Sequence, residues 1–295
     1  MSTRGKKGWI LAFSLPCLVL FCLVYAIPFV MVITTSFCDY SLTQSPVFEG
    51  LKNFKTIFAD PDFSVSIVNT LKWVLIQSTL HVGFGFVMAL ILRRKPKGWK
   101  FARVAYVIPN IVPTAATAVM FSLLLNPSFG VIKIIYEKFG LDTTQVLNLF
   151  GNSKYAFMTV TATWVFYSGF NMLIFMGEMG AISPDIYEAA MVDGAGVLRR
   201  MVSITIPGIM PVITIMLILR VGSILNLGYE KVLLLYSPQI YSTADIISTY
   251  VYREGVVNQN YSFAAAVNLF TSVISLILVL GTNKITKKMG QGGIW

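Results

Sequence analysis

Polar side chains recur at helical spacing inside segments of the chain that are otherwise apolar. In three of these segments the spacing is three or four residues, so the polar groups of one segment share one face of a helix. The set comprises amides, hydroxyls, one imidazole and one guanidinium: Gln77, His81, Tyr167, Asn171, Arg220, Ser223, Asn226 and Asn268. Such groups beside aromatic rings suit solutes that present hydroxyls and C–H patches together, as sugars do. The pattern predicts a pathway for a polar solute, with hydrogen bonding between neighbouring helices as the alternative.

Arg220 and His81 are the two members of this set that can carry a charge. A guanidinium at membrane depth needs a carboxylate, a carbonyl or water, and the apolar segments contain no acid. Arg220 is therefore the strongest candidate for a residue of the solute pathway. His81, the single histidine, is more typical of a hydrogen bond between helices than of a proton relay.

The sequence lacks the spacings that catalysis and cofactor binding require. It contains no Gly-x-x-x-x-Gly-Lys-Ser/Thr motif, the loop that cradles nucleotide phosphates. It also shows no cluster of metal ligands and no nucleophile beside a base. Cys17, Cys22 and Cys38 are odd in number and lack metal-ligand spacing, which indicates free thiols. We therefore expect no enzymatic activity and no cofactor or metal bound by this chain.

Composition indicates whether the segments that carry these residues lie in water or in a membrane. Mean hydropathy is +0.72 and charged residues make up 12% of 295 residues, too few for a water-soluble surface. Six apolar segments reach the about 20 residues that a bilayer crossing needs, near 9–36, 67–92, 101–125, 155–177, 207–229 and 263–283. This predicts an all-α polytopic membrane protein with a short N-terminus (1–8), a six-helix transmembrane domain (9–283) and a tail (284–295).

Lysine and arginine predict the orientation of these segments. They concentrate in the N-terminus, the loop after the second segment, the loop between the fourth and fifth segments, and the tail. In the opposite loops, cations are balanced by acids. Both termini are therefore expected in the cytoplasm. The net charge of +10 then reflects topology and contact with anionic membrane lipid, so no nucleic-acid partner is expected.

The cytoplasmic loop 178–206 has its own helical signals. Ser183 followed by Pro184 is typical of a helix start, because a hydroxyl can cap and proline is tolerated in the first turn. Gly194 and Gly196 are expected to end the helix. The small residues between these signals predict a smooth surface that a partner protein could hold, with the acids Glu188 and Asp193 as anchors.

The stretch from Glu188 to Pro207 resembles the cytoplasmic loop of the membrane subunits of bacterial ABC importers. The family pattern is Glu-Ala-Ala, three residues, Gly, nine residues, Ile, one residue, Leu-Pro. It is matched in register by Glu188, Ala189, Ala190, Gly194, Ile204 and Pro207, with Ile206 in place of Leu. In that family the loop is the coupling helix that docks on the ATP-hydrolysing subunit. The resemblance implies an ATPase-coupling role for Glu188, Ala189, Ala190, Asp193, Gly194 and Ala195.

The resemblance also implies a fold and a set of partners. The fold is that of the type I importer transmembrane domain in a bacterial cytoplasmic membrane. The partners are a second homologous permease that completes a heterodimer, two ATPase subunits that use ATP and Mg²⁺, and an extracellular sugar-binding protein. The stretches 182–187, 228–232 and 249–253 are similar to permeases of the carbohydrate branch that import complex oligosaccharides, including uronic-acid types. An importer for amino acids, phosphate or metal, or a self-sufficient secondary carrier, remains the alternative.

Overall fold

The computed structural model describes residues 3–223, 228–288 and Gly290. Apart from one hairpin, its elements are helical. The α-helices in chain order are α1 Thr3–Phe21, α2 Ile27–Ser36, α3 Lys52–Ala59, α4 Pro61–Arg93, α5 Trp99–Ile111, α6 Thr114–Leu124, α7 Val131–Lys138, α8 Ser153–Trp164, α9 Gly169–Ala181, α10 Pro184–Val192, α11 Val197–Arg200, α12 Ile206–Gly222, α13 Tyr229–Leu235, α14 Tyr241–Ala244, α15 Ile247–Tyr252 and α16 Tyr261–Lys288. Strands β1 Cys38–Ser41 and β2 Gln44–Phe48 pair antiparallel. The expectation of an all-α chain missed this short hairpin.

The chain divides into two compact units, and the first comprises 1–63 and 250–274. Its hairpin is tied to the start of α16 by a 2.7 Å hydrogen bond from the Tyr40 amide to Ser262 Oγ. The buried ring of Tyr250 donates its hydroxyl proton to Asp60 at 2.6 Å. Burial, together with this hydrogen bond, raises the pKa of Tyr250, so the phenol stays a donor.

The second unit comprises 64–249 and 275–295 and contains the polar segments described above. One apolar cluster of this unit joins α4, α9 and α12 through Ala89, Leu92, Met172, Phe175, Met179 and Ile209. Close backbone approach also occurs, because a Cβ on Gly169 would lie 2.5 Å from the carbonyl oxygen of Tyr106. Gly177, two turns later on the same helix, has open space around it.

Up to six segments of the described chain are long and apolar enough to cross a membrane when each bent helix pair counts as one, and their ends differ from those predicted. Within the described residues, four crossings are continuous helices: 12–36, 61–93, 197–222 and 261–288. The segment predicted at 101–125 is two helices, α5 and α6, bent by 99°. Extended backbone at Val112 and Pro113 causes this bend, because proline cannot donate the next helical hydrogen bond.

The fourth and fifth segments also differ from their expected bounds. The segment predicted at 155–177 consists of α8 and α9, which meet at 44° across a 3₁₀ turn, Val165–Ser168. The segment predicted at 207–229 begins ten residues earlier, because α11, a π-helical turn and α12 form one continuous helix. Its described part ends at Gly222, and α13 begins at Tyr229.

Candidate functional site

The break between α8 and α9 presents two aromatic rings to the inside of the second unit. Tyr167 has non-helical backbone angles (φ −91°, ψ 19°) within the 3₁₀ turn, and Trp164 is the last residue of α8. Their ring centroids are 5.8 Å apart. The Tyr167 hydroxyl is hydrogen-bonded to Thr117 Oγ1 of α6, which fixes the ring against the neighbouring bent pair.

Lys231 of α13 lies against these two rings. The Lys231 side chain is fully buried, with Nζ 3.7 Å from the Tyr167 centroid and 4.5 Å from the Trp164 centroid. Nζ also donates to the carbonyl of Thr163 at 3.2 Å. A desolvated ammonium over aromatic faces gains about 2 kcal/mol or more from each good contact. Sequence reasoning missed Lys231, because it counted the residue among solvated loop cations.

His81 and Arg220 extend this basic and aromatic cluster. His81 Nε2 lies 2.7 Å from the carbonyl oxygen of Trp164, and the two rings are stacked. Nδ1 lies 3.4 Å from a guanidinium nitrogen of Arg220. Because the guanidinium can only donate, Nδ1 must accept and the imidazole proton sits on Nε2. Neither Arg220 nor Lys231 forms an ion pair with a carboxylate in the part of the chain that the structure describes.

Two other predicted pathway residues, on α4 and α9, are buried. Gln77 donates to the Thr161 carbonyl at 3.4 Å, and its side-chain oxygen has no partner among the described residues. Asn171 is buried on α9 with its Cβ against Gly85, and its amide nitrogen is likewise without a described partner. Unpaired buried amides of this kind have free hydrogen-bonding capacity for a solute or water.

The structure describes two of the three remaining predicted pathway residues. Ser223 is exposed, and its hydroxyl donates to carbonyls of its own helix, Leu219 and Arg220. Asn268 is exposed and belongs to the first unit. Asn226 lies outside the described residues. No group of three or more His, Cys, Asp or Glu side chains within 3–223 and 228–288 is placed to hold a metal ion.

The predicted coupling loop folds as its local signals indicate. Proline occupies the first turn of α10, and Ser183 Oγ accepts from the Asp185 amide at 3.3 Å. At the other end, the Ala195 amide donates to the Ala190 carbonyl at 2.8 Å and the Gly194 amide donates to the Met191 carbonyl at 3.0 Å. These two bonds form a Schellman C-cap, which requires the left-handed conformation that Gly194 adopts with φ +74°.

The surface of this loop is exposed, and much of it is apolar. Glu188, Ala189, Asp193 and Gly194 are exposed, whereas Ala190 and Ala195 are half-buried. Next to them, Val192 is 89% exposed and Leu198 is 73% exposed. Neighbouring apolar side chains left open to water typically mark a protein interface.

Tyr187 connects α10 to two membrane-spanning helices. Its hydroxyl accepts from Arg93 at 2.7 Å, and the Arg93 guanidinium also lies 4.4 Å from the Tyr187 ring centroid. The same hydroxyl is hydrogen-bonded to Thr205 Oγ1 at 2.9 Å. A displacement of α10 would therefore act on α4 and on the fifth span together.

Comparison with known proteins identifies the family. Residues 81–291 match the model described as binding-protein-dependent transport system inner membrane component. Protein LplB of Bacillus subtilis (strain 168) is 31% identical across 100% of this chain and 93% of its own length. The polygalacturonan/rhamnogalacturonan transport system permease protein YteP of the same organism is 32% identical over 83% of this chain and 77% of its own length.

Solved structures agree with these matches. A crystal structure of a bacterial alginate ABC transporter, in complex with alginate pentasaccharide-bound periplasmic protein, contains a chain that is 28% identical to this one with a TM-score of 0.88. The match covers 98% of both chains. A second structure, of a bacterial ABC transporter involved in the import of the acidic polysaccharide alginate, gives a TM-score of 0.86 at 28% identity over 96% of both chains. The predicted type I importer fold is confirmed, and this multi-pass membrane chain belongs to the inner membrane components of binding-protein-dependent transport systems.

Proposed function

We propose that this chain is one transmembrane subunit of an ATP-driven ABC importer in the bacterial cytoplasmic membrane, and that the importer translocates an acidic oligosaccharide. The observation that carries the acidic preference is the cluster of Arg220, His81 and Lys231 against Trp164 and Tyr167. The two cations lack a described carboxylate partner, so a carboxylate of the solute is the group that they would favour. Relatives named for polygalacturonan and alginate support this substrate class.

The cluster suits a uronic-acid unit in two ways. A guanidinium presents a planar fork of donors that matches a carboxylate, and the interaction strengthens where water is excluded. Aromatic rings next to it can pack against the C–H face of a sugar ring. The unpaired side-chain oxygen of Gln77 and the unpaired amide nitrogen of Asn171 would form hydrogen bonds with hydroxyls of the solute further along the path.

We propose that separate ATPase subunits drive the conformational change of this chain. Two ATPase subunits would bind ATP and Mg²⁺ and hold α10 through Glu188, Ala189, Ala190, Asp193, Gly194 and Ala195. The apolar exposure of this loop and its Schellman cap support such docking, because the helix is preformed for a partner. A second homologous permease and an extracellular sugar-binding protein complete the proposed complex.

Uptake by the reconstituted importer tests this proposal. The chain is placed in liposomes with the second permease, the ATPase and the binding protein, and uptake of a uronic-acid trisaccharide is compared with uptake of a neutral trisaccharide. We expect ATP-dependent uptake of the acidic sugar, and Arg220→Gln should lower it about 10-fold or more, as expected for loss of a charged hydrogen bond.

Three results would each contradict a different part of the proposal. Equal loss of both sugars in Arg220→Gln would remove the acidic preference and leave the importer role intact. Solute movement by this chain alone, without the ATPase, would contradict the importer role and favour a secondary carrier. ATP-dependent uptake of amino acids, phosphate or metal ions in place of sugar would reassign the substrate.

A further inference from the structure

A cavity of about 610 Å³ opens at the cytoplasmic end of the second unit. One wall is the end of α4, and the other is formed by the start of the fifth span and by Tyr187 of α10. The volume lies within the range of about 300–1,000 Å³ that is usual for small-molecule sites. The proposed transport path does not include this cavity: none of the predicted pathway residues lines it, and its arginines at the end of α4, Arg93 and Arg94, lie more than three helical turns from His81.

Three arginines line the cavity: Arg93, Arg94 and Arg200. No acid is among the lining residues, and none of the three arginines forms an ion pair with a carboxylate in the described ranges. Arg93 is hydrogen-bonded to the Tyr187 hydroxyl, whereas the buried Nε of Arg200 has no described partner. Guanidinium groups that line a cavity without a carboxylate counter-ion, one of them with an unused donor, indicate an anionic ligand.

The apolar part of the lining restricts the kind of anion. Val87 and Ile91 lie one turn apart on α4, and each is about half exposed (49% and 48%). They belong to the continuous membrane-spanning helix 61–93, so the apolar wall leads from the arginines into the depth of the bilayer. A soluble anion would leave this wall uncovered, whereas an amphiphile would cover it with an acyl chain.

We propose that this cavity binds the headgroup of an anionic phospholipid from the cytoplasmic leaflet. The phosphodiester lies between Arg94 and Arg200, and an acyl chain follows Val87 and Ile91 along α4. Because Tyr187 forms part of the wall and is tied to Arg93, the bound lipid stabilises the position of α10. Anionic phospholipid is therefore a structural ligand of the coupling loop, separate from the transported solute.

Native mass spectrometry of the purified full chain measures this binding directly. The chain is exchanged into detergent with either phosphatidylglycerol or phosphatidylcholine, and the retained lipid is counted. We expect retention of phosphatidylglycerol over phosphatidylcholine. A basic residue near an anionic headgroup contributes about 5-fold in affinity, so the double variant R94Q/R200Q should lose about 30-fold.

The matched control is K97Q/K100Q, which removes the same charge from exposed cytoplasmic lysines outside the cavity. This control should retain the lipid. Equal loss in both double variants would overturn the proposal, since the attraction would then be a property of the whole basic surface. If R94Q/R200Q fails to fold, the exposed single variant Arg94→Gln should still lose about 5-fold.

A competition arm distinguishes lipid from a soluble anion. Glycerol phosphate, which has the phosphate but no acyl chain, is added at the concentration at which phosphatidylglycerol saturates the chain. We expect the lipid to stay bound. Displacement of the lipid by glycerol phosphate, or unchanged lipid retention in R94Q/R200Q, would overturn the proposal.

Discussion

Replacing Gly194 with valine tests the coupling loop, because the structure allows the free-energy cost of this substitution to be derived. Gly194 closes the Schellman cap of α10 at φ +74°, and an added Cβ would meet no atom within 4 Å. The substitution therefore creates no internal clash. Its cost is the left-handed backbone, about 1–2 kcal/mol for a residue with a Cβ and more for a β-branched one.

This cost sets the expected loss of coupling. If the ATPase binds only the capped form of α10, a penalty of at least about 1–2 kcal/mol lowers docking affinity by at least about 5- to 30-fold. Binding of the ATPase to the reconstituted permease, measured by titration, should show that loss. ATP-dependent uptake should fall with it, while capture of sugar by the binding protein stays unchanged.

Two further variants separate backbone conformation from bulk. Gly196 is exposed, has open space and adopts φ −66°, so Gly196→Val carries the same side chain without the left-handed penalty. Gly194→Asn should keep most of the affinity, because asparagine tolerates this conformation. Wild-type docking in Gly194→Val, or an equal loss in Gly196→Val, would refute the reasoning from the cap.

Further predictions concern the stability of the purified chain, measured by thermal unfolding. Gly169→Ala should destabilise it by about 1–3 kcal/mol through overpacking, whereas Gly177→Ala on the same helix should be neutral or stabilising by about 0.5–1 kcal/mol; equal effects would contradict the close contact. His81→Ala should cost about 1–3 kcal/mol because a buried α8 carbonyl loses its donor, and a neutral result would show that water replaces the imidazole. Tyr250→Phe should cost about 1.5–3 kcal/mol by removing the bond to Asp60. Because the folded-state pKa of Tyr250 is raised, its stabilisation is full below about pH 10 and is lost as pH rises further, so wild type and Tyr250→Phe should converge in alkaline buffer.

The cytoplasmic loop was predictable in detail because its determinants are local. The hydroxyl of Ser183 and the ring of Pro184 favour the start of α10, and the conformational freedom of Gly194 allows its end. Each of these residues acts within one helical turn of its own position. The family pattern covers the same residues, and the family is confirmed. The ATPase-coupling role of the individual side chains stays a prediction.

The geometry of the spans was only partly predictable, because hydropathy does not register backbone angles. Extended backbone at Val112 and Pro113 separates α5 from α6, and the two helices are bent by 99°. Hydropathy alone therefore gave one straight segment where the structure has two helices. Asn226 lies outside the described residues, so its role is still a prediction.

The polar face of α4 was correctly placed on one side of the helix, but its surroundings could not be derived from spacing. Gln77 and His81 reach carbonyls of α8 that lie more than eighty residues away in the chain. The burial of Lys231 was not predicted at all. A count of loop charges treats each lysine as hydrated, and only the fold shows that this one is enclosed by aromatic rings.

The Tyr187 hydroxyl has a geometrical consequence beyond its two hydrogen bonds. From Arg93, α4 runs about 18 Å back to His81, and from Thr205 the fifth span runs about 22 Å to Arg220, at the usual helical rise. Those far ends meet again in the His81–Arg220 contact. The two helices are thus joined by polar contacts at both ends. Tilting one helix without the other would break the polar contact at one end. A displacement of α10 would therefore move both helices, and the His81–Arg220 contact would move with them.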